Sequence, residues 1–126
     1  MKLRHSFSSI KQFENCSYRY YLQRISKKIV DLPGTASIYG ERVHKYFEDR
    51  INEGVPLPEE LKKHEAVCRK IKVWPGDTVA EKELTLTEHL TPTGWFDPDA
   101  WFRSKLDVLN INGPKATTID WKTGKR

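Results

Sequence analysis

No run in the 126-residue sequence approaches the roughly 18 apolar residues that suggest a membrane span. The N-terminal MKLRHSFSSI also lacks the apolar stretch of a secretory signal. A membrane partner is therefore not expected. Cysteine is scarce. Cys16 and Cys68 are the two present, far apart and without metal-type spacing, which fits reduced thiols in a cytosolic protein. Internal repeats and low-complexity segments are missing as well. What remains is an ordinary globular composition, 37% hydrophobic and 11% aromatic, which argues against disorder. The length suits one domain, 1–126. Twenty-two basic against 17 acidic residues leave a formal charge of +5. That excess fits simple solubility as well as a polyanionic partner.

The periodicity of the chain changes part-way. FSSIKQFENCSYRYYLQRI reads as one amphipathic helix, capped by Ser8 or Ser9, with Ser9 and Gln12 at capping-box spacing. DLPG marks a turn. A second helix is expected from Ser37 to Glu53, with Val43, Phe47 and Ile51 as its apolar stripe and Gly54 at its left-handed C-terminus. His44 sits at the border of that stripe. A third helix starts near Pro58 and is stopped by PGD at 75–77. Beyond it the period becomes 2. VAEKELTLTE alternates, with Leu84 and Leu86 opposite Glu83 and Thr85. WFRSKLDVLNI sets Phe102, Ser104, Leu106 and Val108 against Arg103, Lys105 and Asp107. ATTIDWKTG forms a third strand. Helices followed by a small, mainly antiparallel three-stranded sheet make an α+β fold.

The hairpin between the last two strands brings acids together. Pro114 cannot donate a ladder hydrogen bond, so it belongs in the turn; with NGPK as the turn Ile111 faces Ala116, and a two-residue turn would shift the register by one pair with the same parity. The same count sets Asp107 opposite Asp120, with Lys122 on the face of Asp120. Like charges facing each other destabilise a sheet. Either both are solvated and partly neutralised by Lys105 and Lys122, or a divalent cation sits between them. Hard cations prefer oxygen ligands, and a nearby lysine would then act on a water or a phosphate oxygen.

Taken together, these residues resemble the PD-(D/E)XK nuclease superfamily, and within it the RecB-like exonuclease branch with its phage-encoded members. The opening helix SFSSIKQFENCSYRYYL is similar to that of the branch. GERVH resembles the first motif, KLDVL the second and IDWKTGK the third. The resemblance implies metal ligation by His44, Asp107, Asp120 and the Trp121 backbone carbonyl, with Lys122 as the catalytic lysine. Glu83 matches an acidic position near the metal. The implied cofactor is Mg²⁺ or Mn²⁺. The implied activity is hydrolysis of DNA, as an exonuclease in recombination, repair or phage DNA processing, in the cytoplasm of a bacterium or a phage-infected cell. A cation beside Lys122 would disfavour its charged form. Arg19, Arg42, Arg103 and Lys105 are candidate phosphate contacts, and Tyr18, Tyr20 and Tyr21 candidate stacking surfaces.

The sequence departs from the family pattern in three places. Ser104 stands where the family often has glycine. The chain stops at Arg126, where relatives continue into a Gln-x-x-x-Tyr helix and a further strand, so a C-terminally incomplete core is expected. Either the sequence is a fragment, or the core is completed by self-association or by a second chain, or it is a catalytically impaired remnant binding DNA or protein. Cluster-bearing relatives place one cysteine upstream and three downstream. Cys16 stands near the upstream position but the other three are missing, so no iron–sulfur cluster is expected.

Overall fold

The computed structural model describes residues 3–122. In chain order the elements are α1 (Phe7–Asn15), α2 (Ser17–Tyr20) continuing into a π-turn (Tyr21–Ile25), and α3 (Thr35–Glu53). A 3₁₀ segment (Glu59–His64) then leads into α4 (Glu65–Lys72), and β1 (Asp77–Leu86), β2 (Phe102–Asn112) and β3 (Lys115–Ile119) follow. The sheet order is β1-β2-β3. The fold is α+β, as the change of period requires. No helix among the described residues is long and apolar enough to cross a membrane.

The residues fall into two compact units. One holds the chain up to Pro33 together with Glu83–Ser104. The other holds Gly34–Lys82 and the chain from Lys105 onward. In the first unit the expected single helix is broken. Its cap is Ser6, which exchanges hydrogen bonds with Ser9, so the capping box lies three residues upstream of the expected one. The helix ends at Cys16, whose extended backbone interrupts the ladder and whose Sγ accepts the Arg19 N–H as the cap of α2. Tyr20 is buried, edge-on to Phe13. Within this unit the His5 N–H donates to the Trp101 carbonyl and the Arg103 N–H donates to the His5 carbonyl.

The second unit holds a contiguous core. Val43, Phe47 and Ile51 of α3 pack with Leu57, Leu61, Cys68, Ile71, Ala80 and Val108. The α3 stripe follows from i, i+4, i+8 spacing. Gly54 ends the helix in the left-handed conformation (φ 75°), and Lys72 Nζ donates to the otherwise unpaired Ile51 carbonyl. Pro58 precedes a 3₁₀ segment rather than opening an α-helix, and α-geometry begins only at Glu65. The hairpin keeps the expected register, Ile111 opposite Ala116, around Gly113 and Pro114.

Alternation along the strands is less regular than the sequence pattern. Thr85 is buried and Leu84 exposed, the reverse of the expected facing. Glu81, at φ +55°, interrupts the regular pleat of β1. On β2 the consecutive residues Val108, Leu109 and Asn110 are all buried, because the central strand is covered on both faces. Asn110 is satisfied there by donating to the Pro75 carbonyl and Thr78 Oγ1.

Candidate metal centre

Three acid or imidazole groups converge in the second unit. Each is the chain neighbour of a core residue: His44 follows Val43, Glu81 follows Ala80 and Asp107 precedes Val108. Burial of those three neighbours fixes the backbone on both sides of the site. His44 Nδ1 lies 3.3 Å from Asp107 Oδ1 and 3.6 Å from Glu81 Oε1. One ligand atom from each residue lies within 4.8 Å of the others, a group able to hold a metal ion. The side chains are partly covered, at 31% exposure for His44, 17% for Glu81 and 11% for Asp107. They therefore face solvent without being fully hydrated.

Asp107 is oriented from behind. Its Oδ2 accepts the Trp121 N–H at 2.6 Å, which leaves Oδ1 turned to His44. The Trp121 ring is stacked on Phe47, one helical turn beyond His44. Lys105 Nζ lies 3.7 Å from Glu81 Oε2 and offsets part of the repulsion between the carboxylates. These groups line a cleft of about 490 Å³, with Ser37, Gly40 and Glu48 on its α3 side. At its edge Lys45 is held between Asp49 and Glu48, whose carboxylates raise its pKa well above the ordinary lysine range.

The remaining expected residues are placed as follows. Among the described residues the carboxylate joining His44 and Asp107 is that of Glu81, and Glu83 lies two positions further along β1, exposed. AEKEL puts both glutamates at positions of the same parity, so the sequence held the signal for Glu81 without choosing it. The choice is made by the positive φ at Glu81. Asp120 lies just past β3 and outside the three-residue group. It is ion-paired with Lys122, both side chains being largely exposed. That bond, reinforced by the charge of Asp120, raises the Lys122 pKa.

Among the candidate phosphate contacts, Lys105 lines the cleft and Arg42 is exposed on α3. Arg19 pairs with Asp31 at 3.2 Å in the other unit. Arg103 is held there by the Trp95 carbonyl, with its guanidinium 4.9 Å from the Trp95 ring centroid and 5.8 Å from that of Phe96. Tyr18 and Tyr21 are exposed, while Tyr20 is core.

A family model of the PD-(D/E)XK nuclease superfamily matches residues 4–97, more than half of the chain. The chain belongs to that superfamily. Neither a curated protein nor a solved structure matches it. Membership implies a phosphodiester-cleaving nuclease, and PD-(D/E)XK nucleases use divalent metals. The matched span contains His44 and Glu81 and stops before Asp107, whose place beside them rests on the geometry of β2.

The donor set fits such a metal. Two carboxylates suit Mg²⁺ or Mn²⁺, and an imidazole nitrogen is better tolerated by Mn²⁺ than by the harder Mg²⁺.

Proposed function

We propose that this PD-(D/E)XK protein is a Mg²⁺- or Mn²⁺-dependent deoxyribonuclease, acting as an exonuclease in DNA recombination, repair or phage DNA processing. The observation that carries the reading is the convergence of His44, Glu81 and Asp107 at one cleft. His44, Glu81 and Asp107 would hold the metal, with Asp120 and the Trp121 carbonyl as further ligands from the same hairpin. The metal would supply Lewis-acid polarisation of the phosphate and a more acidic water.

The protein's own groups do the rest. The Trp121 N–H holds Asp107 in one rotamer. Lys105, at the cleft, pairs with a substrate phosphate. Lys122 orients the attacking water and offsets charge that develops on the phosphate.

The test uses end-labelled duplex and single-stranded DNA with Mn²⁺ or Mg²⁺, together with Mn²⁺ titration of the DNA-free chain. His44→Ala, Glu81→Gln and Asp107→Asn should each weaken Mn²⁺ binding by at least about tenfold. Lys122→Ala should leave binding intact and abolish cleavage, and Glu83→Gln should change neither. Equal cleavage by wild type and by Asp107→Asn would remove the reading.

A second reading, a nuclease-like module that binds DNA without cutting it, is supported by the position of Asp120 outside the three-residue group. Under that reading Mn²⁺ and DNA both bind and no product forms.

A further inference from the structure

Asn52 sits on the α3 row that also carries His44 and Glu48, at i, i+4 and i+8. Its carboxamide makes two bonds to a single residue of β1. Asn52 Oδ1 accepts the Ala80 N–H at 2.8 Å, and Asn52 Nδ2 donates to the Ala80 carbonyl at 3.2 Å. β1 is an edge strand of the described sheet. The outward backbone groups of an edge strand ordinarily go to water or invite another strand. Here a primary amide, with donor and acceptor side by side, takes the place of a neighbouring peptide.

Two bonds to one residue fix the strand in rotation as well as in position. The residue so held immediately precedes Glu81, whose φ of +55° is one that a residue with a Cβ rarely adopts. Such a conformation is strained and persists only where its surroundings over-determine it. Ala80, 3% exposed in the core, supplies one constraint. The Asn52 clamp supplies the other. Through this bend Glu81 Oε1 reaches to within 3.6 Å of His44 Nδ1.

We propose that Asn52 is a positioning residue for the metal centre. It locks the Ala80–Glu81 backbone so that the Glu81 carboxylate joins His44 and Asp107. The inference rests on the metal-centre reading above. Asn52 lies outside the three-residue group and is not among the residues that line the cleft, so the role assigned to it is to hold Glu81, not to ligate.

A double-mutant cycle read by Mn²⁺ calorimetry on the full, DNA-free chain tests it. Asn52→Ala should weaken Mn²⁺ binding about 10- to 100-fold, as loss of a group that orients a ligand does. In a Glu81→Gln background the same change should cost little more, because the two substitutions act through one carboxylate. If Asn52→Ala does not fold, as judged by circular dichroism, Asn52→Asp replaces it, keeping the bond from Ala80 N–H and losing the one to the carbonyl. Losses that simply add across the cycle would mark general loosening and overturn the proposal. Mn²⁺ affinity unchanged in Asn52→Ala would overturn it while leaving the metal centre standing. A wild-type chain that binds no Mn²⁺ would remove both.

Discussion

The Trp121 indole lies on the Phe47 ring, with centroids 4.3 Å apart and planes 15° apart, while the Trp121 backbone N–H donates to Asp107 at 2.6 Å. One residue of the C-terminal segment thus ties the helix that carries His44 to the strand that carries Asp107. Side chain and amide do separate jobs. The ring packs against the core, and the N–H selects the Asp107 rotamer.

Trp121→Ala should therefore cost about 3 kcal/mol or more in urea denaturation, within the range for truncating a packed aromatic. It should also weaken Mn²⁺ binding, because the amide is no longer anchored. Trp121→Phe keeps a ring on Phe47 and should recover most of both. A Trp121→Ala chain with wild-type stability would show that the stack contributes nothing to the core.

How much of this was legible in the sequence depends on what periodicity encodes. The Val43, Phe47, Ile51 stripe and the Gly54 terminus were readable because helical spacing and left-handed glycine leave residue-type signatures. The hairpin parity was readable because Pro114 belongs in the turn and a shorter turn would leave the same residues facing the same side. Those features bring His44 and Asp107 to one place. Strand parity alone does not choose between Glu81 and Glu83, and a positive φ at a glutamate has no sequence mark. The break at Cys16 was hidden because its spacing continues a helical pattern while its Sγ starts a new helix. The Asn52 clamp was hidden because it joins residues 28 positions apart.

Two glycines in the second unit should respond oppositely to alanine. Gly76 is left-handed (φ 91°), and an added Cβ would stand 2.2 Å from the Ile111 carbonyl oxygen. Gly76→Ala should destabilise by more than the roughly 1–3 kcal/mol of backbone strain alone. Gly40 lies inside α3 with nothing within 4 Å of an added Cβ. Gly40→Ala should stabilise by about 1 kcal/mol through helix propensity. Urea midpoints of the two variants check both signs, and a destabilised Gly40→Ala would contradict the open space beside that helix.

The two thiols should differ in reactivity. Cys68 is fully buried, and burial pushes its thiol pKa up, so little thiolate is available for attack. Cys16 is exposed. Native protein treated with a disulfide reagent should release one equivalent rapidly, and the second only in denaturant. Cys16→Ser should abolish the rapid phase and keep the cap of α2. Two rapid equivalents from native wild type would place Cys68 outside a closed core.

Acid should weaken the second unit through Glu65. Arg50 Nε bonds its Oε1 at 2.5 Å, and the Leu57 N–H bonds Oε2. The Arg50 hydrogen bond, followed by the Leu57 N–H, holds the carboxyl below its ordinary value of 4.5. A depressed folded-state pKa means that the unfolded chain takes up the proton first. The contribution is therefore complete above about pH 4.5 and is lost as pH falls through the depressed value. Glu65→Gln removes this linkage. Urea midpoints measured from pH 7 to pH 3 should fall less steeply for Glu65→Gln than for wild type below pH 4.5, and the gap between the two proteins should narrow with acid. Parallel acid limbs would show that Glu65 titrates alike in the folded and unfolded chains.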